Sequence, residues 1–238
     1  MTSNEKTTGA SEIFLKAWQV YQDIIAHNYM FHEEISAAAH RSLVGFNPGH
    51  QLNILDLGCG DASMVLPLLS NASVALYTGC DLSKPALDIA EQQLSTRSIP
   101  FKLVCDDMLK VIAEQPESSV DLVFSSYAVH HLNSNNKQKL IEEVYRVLRP
   151  TGRFLLIDIF RASNEDRAAY MRNYMGHLKE TWGNLSPEAQ ALVIDHATEY
   201  DFPEQSDFFQ AICQKSGFGH SHSLAKYTWH EAWLFSKI

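Results

Sequence analysis

The chain has 238 residues, 45% of them hydrophobic and 20% charged, with a formal net charge of −9 at pH 7. That is the balance of a soluble globular domain large enough for one sizeable core and an elaboration, and too acidic for a broad nucleic-acid surface, which needs clustered lysine and arginine. No apolar segment approaches the ~20 residues of a membrane span, and the amino terminus has no signal-peptide core.

Taken in order, residues 1–10 are polar and read as a flexible tail. Residues 11–50 read as a helical cap: Phe14, Trp18, Tyr21 and Ile25 share one helix face, and a second helix carries Phe31, Ile35, Ala38 and Ser42 before Gly45. From residue 51 the pattern alternates strand and helix, the signature of a parallel sheet covered on both faces. Apolar runs at Leu52–Leu57, Val74–Cys80, Phe101–Cys105, Val120–Ser125 and Arg153–Ile159 read as the first five strands. Between them, Ser83 and Pro85 open a helix through Leu94, and an amphipathic helix spans Asn135–Leu148. Pro67 implies that the helix after the first strand starts late or kinks. Residues 161–203 hold two further helical patterns and read as a lid insert. A helix through Phe208 and Cys213 follows, then a final pair of strands, the last at Lys226–Phe235. The four cysteines (Cys59, Cys80, Cys105 and Cys213) show no C-x-x-C spacing, so a reduced, cytoplasmic protein is expected. The pair His220-x-His222 and the adjacent His130 and His131 lack a carboxylate or thiol at ligand spacing, so no metal is expected.

The stretch Asn53-Ile54-Leu55-Asp56-Leu57-Gly58-Cys59-Gly60-Asp61 organises the rest. Its glycines let the backbone turn tightly and let a ligand approach it. A dinucleotide fingerprint would place a third glycine where Ser63 stands, and Asp56 and Asp61 would repel a pyrophosphate. A cofactor with a cationic end suits Asp56, and Asp81, closing the second strand, is placed to accept both hydroxyls of a ribose. The pattern favours S-adenosylmethionine over NAD.

These residues, followed by Cys105-Asp106-Asp107-Met108, Asp121-Leu122-Val123-Phe124-Ser125-Ser126, Val129-His130-His131-Leu132 and Val144 through Gly152, resemble the class I S-adenosylmethionine-dependent methyltransferases of the small-molecule type. The resemblance covers roughly Leu52 to Ile159. It implies a Rossmann-like α/β fold, with a seven-stranded, mostly parallel sheet, helices on both faces, N-terminal helices and a helical lid insert. It also implies that Gly58 and Gly60 meet the cofactor through backbone, that Asp81 binds ribose, and that Asp106, Asp107 and Met108 lie around the adenine with Leu82 on its face. Ser125 and Ser126 would line the methionine moiety, and Tyr21 would reach the cofactor from the cap. Asp61 reads equally as a helix cap.

Methyl transfer from a sulfonium is a single displacement, so the protein must align the acceptor and exclude water. A base is needed where the acceptor is a hydroxyl, an amine or an acidic carbon. His130 and His131, after the fourth strand, are the candidates. His27, Tyr29, Tyr170 and Tyr174 are candidate acceptor contacts. The expected partner is a small-molecule methyl acceptor, with S-adenosylhomocysteine as product, no nucleic acid, no membrane, and a monomer or homodimer. The alternatives are a non-catalytic S-adenosylmethionine-binding module, an RNA or protein methyltransferase, and an NAD-dependent oxidoreductase.

Overall fold

A computed structural model describes residues 19–46, 49–70 and 72–238. The expectations for residues 1–10, Phe14 and Trp18 lie outside the described residues. By contacts, the chain divides into two compact units. A smaller helical unit is built from the described residues up to Glu33 together with Asn164–Asp201, and a larger sheet unit from Glu34–Ser163 and Phe202–Ile238.

The sheet unit holds seven strands: β1 Leu52–Leu57, β2 Val74–Asp81, β3 Phe101–Cys105, β4 Val120–Ser126, β5 Leu148–Ile159, β6 His220–Tyr227 and β7 His230–Ser236. They lie in the order β3-β2-β1-β4-β5-β7-β6. The first five strands run parallel, and β7 pairs antiparallel with both β5 and β6. The order reverses beside β1, so ligands are expected at the carboxyl ends of β1 and β4, where the crossovers diverge. The strand expected from Arg153 begins earlier, at Leu148, with a register shift: Val120 pairs with Leu148, and the next pairing is Leu122 with Arg153.

One apolar layer joins Leu55, Leu57, Val123, Phe154, Leu156 and Phe235 of the sheet to α5 (Met108–Ala113), α6 (Ser134–Val147) and α9 (Ser206–Ser216) through Ile112, Leu140, Ile141, Val144, Val147, Phe209 and Ile212. Each such side chain contributes about 1.5–3 kcal/mol on burial. On the other face Ile54 and Leu122 line a cavity together with Leu43 of α2 (His32–Leu43) and Leu68 of α3 (Leu66–Leu69). Pro67 sits in the first turn of α3, which therefore starts late. Ser83 caps α4 (Lys84–Ser95) by accepting the Ala86 N–H at 3.3 Å. No helix among the described residues is long and apolar enough to cross a membrane.

A boundary near the end of the chain also differs from the reading of the sequence. Lys226–Phe235 is not a single strand but a hairpin turning at Thr228 and Trp229, with Thr228 in the left-handed region at φ 54°. No Asn-Gly or Asp-Gly marks that turn, so the apolar alternation runs through it unbroken. Trp229, His230, Glu231 and Trp233 are buried, which makes this segment core.

In the helical unit, α7 (Arg167–Thr181) and α8 (Pro187–Tyr200) are capped by Asp166 and Ser186. Residues 19–26 are also helical and form α1. An aromatic run crosses this unit: His27 stacks on Tyr29 (5.4 Å between ring centroids) and Tyr29 on Trp182 (5.1 Å). Trp182 meets the edge of Tyr174 at 6.3 Å, and Tyr174 stacks on Tyr170 at 5.3 Å. All four residues read from the sequence as acceptor contacts thus share one aromatic array, in which Tyr170 and Tyr174 are buried and His27 is exposed.

Candidate active site

The site begins where β1 ends. The N–H groups of Gly58 and Cys59 both donate to the carbonyl of Cys80, at 2.9 Å each, which turns the chain away from the sheet. Gly58 (φ +73°) and Gly60 (φ +52°) both occupy the left-handed region. A β-carbon on Gly58 would lie 2.3 Å from that of Ala128, whereas one on Gly60 would meet nothing within 4 Å. The first glycine permits close packing against the segment after β4, and the second leaves bare backbone facing open space.

At the tip of β2 the carboxylate of Asp81 is held on both sides. It accepts the Gly60 N–H at 2.9 Å and the Ser83 N–H at 2.8 Å. Leu82, directly after it, is 74% exposed, an apolar side chain presented beside a fixed acid. Asp106 accepts the Asp107 N–H at 2.7 Å and the Lys110 ammonium at 3.1 Å, and these two contacts, led by the backbone one, draw its carboxyl below the usual range. Asp107 is the N-cap of α5, accepting from Leu109 and Lys110. Met108 follows, with its Cε 3.6 Å from the β-carbon position of Gly58. Asp61 accepts the Ser63 N–H at 3.0 Å and a contact from Gln93, but the residue at the cap of α3 is Val65.

The two serines closing β4 part company. Ser125 is fully buried and its hydroxyl donates to the Leu57 carbonyl at 2.7 Å, so it ties β4 to β1. The hydroxyl of Ser126 is buried without a hydrogen-bonding partner. Tyr127 then takes the left-handed conformation (φ 53°), and its N–H donates to Ile157. That turn lays Ala128 on Gly58 and starts a 3-10 turn over Val129–His131.

His130 is gripped by a residue that reasoning from the sequence missed. Its ring Nδ1 lies 2.5 Å from Oδ1 of Asp158, near the end of β5, and its backbone N–H donates to Oδ2 at 2.9 Å. Both residues are buried. The carboxylate accepts from Nδ1, so in the neutral ring Nε2 carries the lone pair. The neighbouring ring of His131 is exposed, 4.0 Å away between centroids. The His130 carbonyl is also fixed, by the Phe202 N–H at 2.9 Å.

Lys137 of α6, fully buried, is a second missed residue: its ammonium donates to the carbonyls of His130, Leu132 and Phe202. Its signal in the sequence was its place on the apolar stripe, three, four and seven residues before Leu140, Ile141 and Val144. Lys137→Met should lower stability by about 2–4 kcal/mol by leaving those carbonyls short of a donor. A fall in the denaturant midpoint without a change in slope would show it.

With this geometry in place, residues 54–152 match the family described as a methyltransferase domain. The protein is a class I S-adenosylmethionine-dependent methyltransferase. The methyltransferase is 23% identical over 197 residues to a phosphoethanolamine N-methyltransferase of Plasmodium falciparum, covering 82% of this chain and 72% of the other. It is 29% identical over 176 residues to a demethylmenaquinone methyltransferase of Leptospira interrogans, covering 71% and 68%. Its fold resembles that of a Burkholderia thailandensis 1,6-didemethyltoxoflavin-N1-methyltransferase, solved with 1,6-didemethyltoxoflavin and S-adenosylhomocysteine. The TM-score is 0.60 at 14% identity, and the match spans 100% of this chain and 91% of that one.

The residues present fit the cofactor. Bare backbone at Gly60, an acid fixed at the tip of β2, an exposed leucine beside it and an unpartnered buried hydroxyl at Ser126 are groups of the kind that an amino acid joined to a nucleoside would meet.

Proposed function

We propose that the protein methylates a small molecule and that His130 takes the proton from the accepting atom. The observation that carries this reading is the buried His130–Asp158 pair, set on the 3-10 turn whose Ala128 packs against Gly58. A base needs a fixed orientation and a fixed tautomer, and a carboxylate on Nδ1 gives both. The acidic balance of the chain and the small acceptors named for its relatives support a small molecule.

When bound, S-adenosylmethionine supplies a methyl group on a positively charged sulfur. In this reading Asp81 accepts the ribose hydroxyls, Asp106 and Met108 border the adenine with Leu82, and the backbone from Gly58 to Gly60 with Ser126 receives the methionine end. Ser125 acts through the strand pairing rather than on the ligand, Asp107 through the start of α5, and Tyr21 stays a proposed cofactor contact. His27, Tyr29, Tyr170 and Tyr174 stay proposed acceptor contacts. His131 is the second candidate for the base.

Asp81→Ala should weaken S-adenosylhomocysteine binding by about 3–6 kcal/mol, two hydrogen bonds to a charged group, a loss of more than about 100-fold. Calorimetric titration of both proteins checks it. The function itself is tested by supplying methyl-labelled S-adenosylmethionine with a panel of small amines, phenols and quinols, and in parallel with tRNA and unfolded protein. Label in a small acceptor is expected. Label in tRNA or protein alone would overturn the small-molecule reading.

A further inference from the structure

Beneath the glycine turn lies a carboxyl group whose titratable neighbours are all acids. Asp56 is 2% exposed, and its hydrogen bond comes from the phenol of Tyr77 at 2.8 Å. The other titratable groups that face it are Asp81 at the tip of β2, Cys59 in the turn and Cys80 on β2. Gly79 keeps this nest closed, since a β-carbon there would lie 2.9 Å from both the Cys59 sulfur and the Tyr77 hydroxyl. None of these neighbours is a cation, so within the nest a negative charge on Asp56 is met by the Tyr77 hydroxyl alone. Burial lifts the Asp56 carboxyl to about 8, with the Tyr77 hydrogen bond opposing the rise and Asp81 adding to it. At neutral pH the cofactor-free protein therefore holds Asp56 largely as the neutral acid.

The methyl donor and its product differ in charge at one atom. S-Adenosylmethionine carries a sulfonium where S-adenosylhomocysteine carries a neutral thioether, and the ammonium and carboxylate are common to both. An added positive charge near a buried acid favours its ionised form. We propose that Asp56 distinguishes donor from product by ionising when the sulfonium form binds and keeping its proton when the thioether is bound. The step is a heterolytic O–H cleavage: the electron pair stays on the carboxylate and the proton passes to the buffer. It rests on the reading that the methionine end of the cofactor lies over the turn from Gly58 to Gly60. Product formation would then be followed by proton uptake, which removes the attraction that held the donor.

Calorimetric titration of the whole protein at pH 7, in phosphate and in Tris, counts the protons released from the dependence of the heat on buffer. Wild type should release about 0.5–0.9 proton on binding S-adenosylmethionine and under about 0.3 on binding S-adenosylhomocysteine. The ratio of the two affinities should rise about tenfold from pH 6 to pH 8. In Asp56→Asn the release should vanish for both ligands and the ratio should stay flat. Tyr77→Phe, which removes the contact that opposes the rise, should move the release to higher pH, and it serves if the asparagine variant does not fold. Equal proton counts for donor and product in wild type, or an unchanged count in Asp56→Asn, would overturn the proposal. A wild type that binds neither ligand would instead remove the cofactor reading beneath it.

Discussion

Replacing His130 with alanine should lower kcat by about two to four orders of magnitude, the usual contribution of a positioned base, with the affinity for S-adenosylhomocysteine unchanged. The affinity should hold because the proposed cofactor contacts end with Ser126, the last residue of β4, whereas His130 stands four residues farther along the chain. The truncation would also leave Asp158 buried without its partner, at about 1–3 kcal/mol of stability. His130→Gln separates the two effects, since its amide can still donate to the carboxylate while supplying no base near neutral pH. Asp158→Asn tests the other end of the pair. An amide N–H then stands where the carboxylate accepted, so the ring is expected to accept at Nδ1 and carry its proton on Nε2, the wrong state for a base. Imidazole nitrogen chemical shifts would report that exchange in the cofactor-free protein. If His130→Ala keeps more than a tenth of wild-type kcat, another group takes the proton, and His131 is the next to test.

Gly58→Ala should cost both the fold and the cofactor. The new β-carbon would stand 2.3 Å from that of Ala128, and the residue would have to hold φ at +73°. Overpacking of this kind costs about 1–3 kcal/mol, and the left-handed conformation adds about 1–2 kcal/mol for a residue with a β-carbon. A drop of about 2–5 kcal/mol in unfolding free energy is expected, with binding of S-adenosylhomocysteine lost from the calorimetric range. The double variant Gly58→Ala with Ala128→Gly removes the clash and keeps the strained dihedral, so it should recover the packing part alone. Cofactor affinity within threefold of wild type in the single variant would mean that the turn is not the cradle it is taken to be.

What the sequence made legible follows the range of the interactions. Gly58, Gly60 and Asp81 stood out because each sits where an apolar run breaks, and strand ends in a parallel sheet are where ligands bind. Asp158 carried the same signal, an acid near the end of a buried run. It was passed over because its meaning depends on His130, 28 residues earlier in the chain. The division between Ser125 and Ser126 follows from strand parity: one side chain points to the Leu57 carbonyl and the next to the opposite side. A reading that ended β4 at Ser125 had no way to separate them. The hairpin at Thr228 was hidden for the opposite reason, a local one, since neither turn residue is of a type that announces a turn.

The chain leaves the sheet unit after Ser163 and returns at Phe202, and the two legs are already joined. The Arg161 N–H donates to the Glu204 carbonyl at 3.1 Å, its guanidinium reaches the Glu204 carboxylate at 2.9 Å, and Gln205 donates to the Ser163 carbonyl at 3.1 Å. A stem closed in this way makes the sheet unit indifferent to the length of whatever hangs between its legs, because each doubling of a loop costs only about 0.6 kcal/mol once its ends are held. The segment is thus a cassette: its length could change at little cost to the closed stem.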